Sequence, residues 1–203
     1  MKSTLFALYA TAIVASGASN AATLTGDQIL ARAGTATGLS SYSVPVQFDV
    51  RMHKPVSISS GAQGIVAYKA PSHASLTITK IPSLIGHFFK TSYAIDLAPQ
   101  VWPSKYRVEA VSESQAGGAN VYLLQSVPVN DPSVDHVIFG VTQADFSPVS
   151  AAWFYKDGST IRLSITNERV SNYTLPQTES VSVSMPQYSL DAQVKYGEYQ
   201  LNQ

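Results

Sequence analysis

Apolar and polar side chains alternate along much of this chain, and this period of two constrains the fold more than any other feature of the sequence. The longest example begins at Ser43, after which every second residue is apolar: Val44, Val46, Phe48, Val50 and Met52. Successive side chains of an extended strand point to opposite faces, so the pattern predicts a strand with one buried and one wetted face.

Further strands are predicted along the rest of the chain, at 62–69, 74–81, 106–113, 120–127, 134–142, 149–156, 160–167, 180–185 and 191–201. Asp157-Gly158 stands between two of these segments and is typical of a hairpin turn. We interpret Gly61 to Gly64 as a turn that connects strands, because it lacks the lysine and the following helix of a phosphate loop. Many short strands with little helix between them favour an antiparallel meander.

One short helix is predicted ahead of the strands. Thr25 and Gln28 have the spacing of a capping box, the residues that follow give one apolar stripe, and Gly34 is a natural end. A helix of this length is marginal by itself, so it needs a sheet to pack on.

The first 21 residues have the pattern of an export signal. Lys2 precedes the apolar run 5–15, which is too short to span a bilayer comfortably, and small residues stand at Ser19 and Ala21. We expect cleavage after Ala21, which leaves one domain of residues 22–203 in the periplasm or outside the cell. No transmembrane span is expected in that mature chain, because no later stretch reaches roughly 18 apolar residues.

Composition and motif spacing argue against several function classes. The 13 basic residues balance the 13 acidic ones, which argues against a nucleic-acid partner, and the lack of cysteine excludes disulfides and thiolate chemistry. The four histidines do not have metal-ligand spacing, and alternation would point Asp135 and His136 to opposite faces. We therefore expect no metal, no cofactor and no catalytic residues, and no enzyme activity.

Residues 82–98 do not fit the strand pattern. Ile85, Phe88 and Phe89 fall near helical spacing, and beyond this segment Pro99 and Pro103 are expected to break the chain. Two interpretations stay open for the segment: a helix or irregular loop that fills the core, or an apolar lid over a cavity.

Several motifs, taken in order, are similar to one family. The run from Gly61 to Pro71 resembles the G-x-G, aromatic, x-x-P hairpin of the periplasmic lipoprotein carrier (LolA-like) family, although Ala70 stands where the carriers have an arginine. Asp145-Phe146-Ser147-Pro148, the later Asp157-Gly158 turn and the closing stretch 196–202 resemble the same family. The match covers most of the mature chain.

The resemblance implies a mainly β fold: a curved antiparallel sheet forming an incomplete β-barrel, with a short N-terminal helix and a helical or irregular lid. It implies a non-catalytic periplasmic carrier or binder of lipid or lipoprotein acyl chains, with a membrane-bound protein as donor or acceptor in outer membrane biogenesis. The alternatives are a protein-interaction or sensor module on the same fold and a secreted hydrolase. The residues predicted to line the cavity and its lid are Val46, Phe48, Val50, Ile65, Leu76, Ile78, Ile85, Phe88 and Phe89.

Overall fold

The structure is a computed structural model that describes residues 24–36, 38–55, 57–70, 73–81, 92–94 and 98–202. The predicted export signal and the predicted lid residues Ile85, Phe88 and Phe89 lie outside these described residues.

The described chain contains mostly strands, with two helices and a 3-10 turn at Pro99–Val101. The elements are α1 (Gly26–Thr35), β1 (Ser41–Lys54), β2 (Ile58–Lys69), β3 (His73–Lys80), β4 (Ser92–Ala94), α2 (Trp102–Lys105), β5 (Tyr106–Ala116), β6 (Ala119–Pro128), β7 (Val134–Thr142), β8 (Pro148–Tyr155), β9 (Thr160–Val170), β10 (Tyr173–Ser184), β11 (Ser189–Tyr196) and β12 (Gln200–Asn202). None of the described helices is long and apolar enough to cross a membrane.

The strands form one antiparallel sheet in the order β4-β3-β2-β1-β11-β10-β9-β8-β7-β6-β5, and β12 pairs with β1. No ladder joins the two edge strands, β4 and β5, in the described residues, so the sheet is not closed into a barrel. The predicted mainly β fold with one open antiparallel sheet is confirmed. The connection from β4 to β5 joins opposite edges, and its described part, 98–105, packs against α1.

Helix α1 begins where the capping box predicts. The Thr25 backbone N–H donates to Gln28 Oε1 at 2.9 Å, and the Gln28 N–H donates to Thr25 Oγ1 at 3.3 Å. In the first turn, Asp27 Oδ1 accepts a hydrogen bond from the Val108 N–H of β5 at 2.8 Å. The apolar stripe of the helix is buried, so the cap and the Asp27 contact fix how the helix lies on the sheet.

Gly34 does not end the helix, which continues to Thr35. It is buried where α1 meets the 98–105 segment: a Cβ at Gly34 would lie 2.8 Å from Pro103 Cγ and 3.3 Å from the Pro99 carbonyl oxygen. The two prolines also differ from expectation, because each stands at the start of a short helical turn rather than breaking the chain. Proline suits that place since its missing N–H would have no partner there.

The stretch from Gly61 to Gly64 lies inside β2, and its interpretation as a connecting turn is wrong. Gly61 pairs with Asp49, and Gly64 pairs with Val46. A Cβ at Gly64 would lie 2.7 Å from the Thr77 carbonyl oxygen, next to a shift in the β2–β3 register. Glycine within a strand often marks a close approach of two backbones, and Gly64 allows the backbones of β2 and β3 to come close.

The inner face of the sheet carries two apolar clusters. The first, which we call the helix-side core, joins α1 and α2 to β6–β9 through Ile29, Leu30, Trp102, Leu124, Phe139 and Trp153. The second, which we call the tyrosine-side core, joins β1, β2, β10 and β11 through Tyr42, Val44, Val46, Tyr68, Leu175 and Val194.

Asp145 organises the turn between β7 and β8, within one of the motifs that resemble the LolA-like family. Its Oδ1 accepts from Thr142 Oγ1 at 2.5 Å and from the Ser147 N–H at 3.2 Å, and its Oδ2 accepts from Thr174 Oγ1 of β10 at 3.0 Å. Burial by itself raises the pKa of this carboxyl, but the hydrogen bonds outweigh burial and hold the pKa below its usual value.

We expect Asp145→Asn to lower the free energy of unfolding at pH 7 by about 1 kcal/mol, because the charged acceptor of these bonds is lost from a largely exposed turn. A lowered pKa in the folded state stabilises the protein above the unfolded pKa of about 3.9, and this stability is lost as pH falls through the folded pKa. Urea unfolding at neutral and acidic pH should therefore show the difference shrinking in acid. Glu113→Gln, on an exposed position of β5, is the matched control, and a pH-independent difference would contradict the prediction.

Candidate functional site

A cavity of about 250 Å³ lies against the inner face of the sheet, between the helix-side core and the tyrosine-side core. Strands β1–β3 and β8–β11 contribute to its wall, together with α1 and residues 98–100. In the sheet, β3 and β9 are separated by β2, β1, β11 and β10, yet both border the same cavity. The sheet is therefore curved around the cavity, and α1 and residues 98–100 lie over it.

The cavity wall is mostly apolar. Its main side chains are Phe48, Val66, Leu76, Leu163, Ile165 and Val194. An apolar cavity of about 150 Å³ is known to stay dry and to accept a ligand the size of benzene. The mostly apolar wall of this larger cavity likewise suits an apolar ligand.

Two residues predicted to line a cavity, Phe48 and Leu76, do border this one. Val46 lies on the same face of β1, but it is 2% exposed and packs in the tyrosine-side core. Its place in the core follows from the register, which pairs it with Tyr196 of β11 on one side and Gly64 of β2 on the other.

The other predicted residues that the structure describes, Val50, Ile78 and Ile65, lie elsewhere. Val50 and Ile78 continue the inner rows of β1 and β3 and are half-buried, outside the described cavity wall. Ile65 lies on the outer face and is 42% exposed. It pairs with Pro45, whereas its neighbour Val66 pairs with the fully buried Val44, so Val66 takes the inward position in β2.

The sequence interpretation missed Glu179 of β10, the carboxyl group among the described residues of this wall. In the sheet register, Glu179 is flanked by Ile165 of β9 and Val194 of β11, both of which also border the cavity. The strand was predicted to begin only at 180, whereas β10 begins at Tyr173. The available signal was the position of Glu179 two residues before Val181, which puts both side chains on the same face of an extended strand.

Three tyrosines, Tyr42, Tyr196 and Tyr199, lie near this carboxyl. The Tyr196 hydroxyl donates a hydrogen bond to Glu179, and the Tyr196 ring stacks on Tyr199 with centroids 6.1 Å apart. Tyr199 meets Tyr42 edge-on at 5.6 Å, and Tyr42 meets Tyr68 at 5.4 Å. We call Tyr42, Tyr68, Tyr196 and Tyr199 the tyrosine cluster.

The cavity environment shifts the acidity of these groups. Burial raises the pKa of the Glu179 carboxyl, and the hydrogen bond from Tyr196 opposes this shift without cancelling it. Burial also raises the pKa of Tyr42 and Tyr196, and the nearby charge of Glu179 adds to both shifts. The carboxyl therefore stands in a place that disfavours its charge unless a cation or a hydrogen-bond donor accompanies it.

Among the described residues, two histidine–carboxylate pairs lie outside the cavity. His53 Nε2 is 2.7 Å from Asp191 Oδ2, and His136 Nδ1 is 2.8 Å from Asp135 Oδ2. The expectation that Asp135 and His136 point to opposite faces is wrong, because a register shift between Val134 and His136 interrupts the alternation there.

In the part of the chain that the structure describes, the hydrogen bonds of these two histidines go to carboxylates rather than to a serine hydroxyl. Ser182 also donates to Asp191, so the serine and the histidine share one acceptor. No group of three or more histidine and acidic side chains that could hold a metal ion occurs among the described residues.

Sequence comparison finds no protein-family model that matches the chain, and no curated protein matches it either. Solved structures do match. A LolA superfamily protein from Nitrosomonas europaea has a TM-score of 0.64 at 14% identity, over 89% of this chain and 95% of its own. A domain described as that of an outer membrane lipoprotein-sorting protein from Vibrio parahaemolyticus has a TM-score of 0.64 at 8% identity, over 88% of this chain and 94% of its own.

A DUF1329 family protein from Desulfovibrio piger has a TM-score of 0.59 at 9% identity, over 87% of this chain and 92% of its own. At these identities the likeness concerns the fold. The fold of this protein is the LolA-like half-barrel, and the resemblance that the sequence motifs indicate is confirmed at that level.

Proposed function

We propose that this protein is an exported, non-catalytic carrier or binder of lipid or lipoprotein acyl chains, and that its cavity holds the chain. The observation that carries the proposal is the open apolar cavity on the inner face of the half-barrel. A protein-interaction module on the same fold needs only an outer surface, and its inner face would be expected to be filled by side chains. The LolA-like fold and the lipoprotein-sorting description of one structural neighbour support the proposal.

The mechanism we propose is passive uptake. Each methylene group moved from water into an apolar site gains about 0.8 kcal/mol, so a chain can be held with little polar chemistry. Phe48 and Leu76 form the wall from β1 and β3, and Leu163 and Ile165 form it from β9. Val46, Val50 and Ile78 extend the inner rows beside the cavity.

The remaining parts of the proposal concern location and exchange. Export to the periplasm after cleavage following Ala21 would deliver the domain of residues 22–203 to the compartment of lipoprotein sorting. The segment 82–98, with Ile85, Phe88 and Phe89, is proposed as the lid, and a membrane-bound protein is proposed as donor or acceptor of the cargo.

The test is to fill the cavity. Leu76→Trp on β3 and Val181→Trp on β10 each place a large ring where the acyl chain would lie. We expect each variant to bind a fluorescent acyl probe more than about tenfold more weakly, which corresponds to the loss of about two methylene contacts. Fluorescence titration of the purified mature protein measures this loss.

Ile65→Trp is the matched control, because the same ring is added to β2 on the exposed outer face. It should leave probe affinity unchanged. Two cavity variants that fold, as judged by circular dichroism, and still bind the probe like the wild type would refute the proposal. Native mass spectrometry of protein from the periplasm, followed by solvent extraction, would identify the cargo.

A further inference from the structure

The described part of the cavity wall carries a carboxyl group, which an acyl-chain site does not need. Glu179 stands in a row of apolar residues, between Ile165 and Val194, and reaches the cavity from β10. A carboxyl group at such a position costs stability unless it is paired or hydrogen-bonded. The Tyr196 hydroxyl supplies one hydrogen bond, and a carboxylate can accept several.

The described part of the cavity wall offers no positive charge to this group. None of the described residues that border the cavity is a lysine or an arginine. Among the described residues, the titratable groups that face Glu179 are Tyr42 from β1, Tyr196 from β11 and Tyr199 from the loop after β11. Glu168, the further acidic group, acts on Tyr199 and adds negative charge rather than offsetting it.

The same wall is rich in aromatic rings. Phe48, Tyr42 and Tyr196 border the cavity, and Tyr199 packs on both of those tyrosines. Aromatic faces attract cations, and a set of such rings is a recurrent way of binding ammonium groups. A carboxylate next to several rings therefore combines the two features that favour a protonated amine.

We propose that the cavity selects amphiphiles in which an apolar chain ends in a protonated amine, with Glu179 as the partner of the ammonium group and the tyrosine cluster beside it. This inference rests on the proposed function, because the chain must enter the cavity for the amine to reach Glu179. A ligand ending in a carboxylate or phosphate is disfavoured, since its negative charge would lie close to that of Glu179.

The experiment compares three ligands with the same chain: decylamine, decanol and decanoate. Affinities are measured by isothermal titration calorimetry on the full mature protein at pH 7, below the micelle concentrations of the ligands. The affinity for decylamine should be at least about tenfold higher than that for decanol, equivalent to about 1.4 kcal/mol. Decanoate should bind more weakly than decanol. Glu179→Gln should remove the preference for the amine, so that the variant binds decylamine and decanol with affinities within about twofold of each other.

Two further variants separate a binding role from a structural one. Glu168→Gln makes the same chemical change on β9 outside the cavity wall, and it should keep the full preference for decylamine. Tyr196→Phe removes the hydrogen bond to Glu179 and keeps the ring, so it should reduce the preference by less than Glu179→Gln does. In the wild type, amine affinity should also fall in acid as Glu179 is protonated, whereas in Glu179→Gln it should not.

The outcomes distinguish this inference from the proposed function. If decanol binds but decylamine is not preferred, or if folded Glu179→Gln keeps the preference, the amine proposal is overturned and chain binding stands. If decanoate binds as tightly as decylamine, the amine proposal is again overturned. If none of the three ligands binds, both proposals fail.

Discussion

Trp102→Ala is expected to lower the free energy of unfolding by about 3–5 kcal/mol, the range for truncating a fully buried tryptophan. Trp102 is 0% exposed and stacks on Phe139 of β7 with ring centroids 4.2 Å apart. It also belongs to α2, which packs against α1, so the substitution leaves a cavity where both helices meet the sheet. Urea unfolding measures the loss.

Fluorescence can follow this unfolding in the variant, because the chain has two tryptophans and Trp153 remains. Trp153 is 1% exposed, and its Nε1 donates to the Tyr106 hydroxyl at 2.9 Å. Val129→Ala, at a residue that is 57% exposed, is the control and should change stability by less than about 0.5 kcal/mol. If Trp102→Ala costs no more than the control, α2 does not belong to the cooperative core.

Gly64→Ala is the second substitution with a large expected effect, and we expect it to destabilise the protein by about 1–3 kcal/mol, as overpacking does. The added Cβ would lie 2.7 Å from the Thr77 carbonyl oxygen, a backbone atom of the adjacent strand β3. It would also lie 2.8 Å from Leu76 Cδ1 and 3.4 Å from Phe48 Cε2. Since both side chains border the cavity, binding of an acyl probe should weaken as well.

Gly61→Ala provides a matched control three residues away in the same strand. Its Cβ would come no closer than 3.5 Å, to the Phe48 carbonyl oxygen, which is ordinary contact. Replacing glycine by alanine in a strand interior is favourable by roughly 0.5–1 kcal/mol where there is room, so this variant should be neutral or slightly stabilised. Equal thermal unfolding midpoints for the two variants would show that β2 and β3 do not approach as closely as the structure has them.

Local sequence patterns predicted several elements well. The capping box placed the start of α1, and the alternation after Ser43 placed β1 and the face that it buries. The Asp157-Gly158 turn is also confirmed: β8 ends at Tyr155, β9 begins at Thr160, and Gly158 has a φ of 85° that favours glycine. Each of these features depends on residues that are neighbours in the chain, so a short stretch of sequence is enough to predict it.

Predictions that depended on partners far along the chain were less accurate. Gly34 was interpreted as the end of a helix and Gly64 as part of a turn. Each glycine is instead needed because another segment comes close: Pro103 approaches α1 at Gly34, and Thr77 approaches β2 at Gly64. Val66, rather than Ile65, points toward the inner face of the sheet because of the register in which β2 pairs with β1. Glu179 was missed because its strand extends further toward the N-terminus than propensity indicates, with Pro176 accommodated next to a register shift.

The sequence by itself determined the strand content, the first helix and the hairpin turn at Asp157-Gly158, because alternation, capping and turn chemistry act over a few residues. Only the tertiary structure decided where the cavity lies and what borders it. Its wall brings β3 and β9 together across a curved sheet, with Leu76 on one side and Ile165 on the other. Curvature and register place Glu179 among apolar residues and tyrosines, and these are properties of the whole sheet rather than of any single strand.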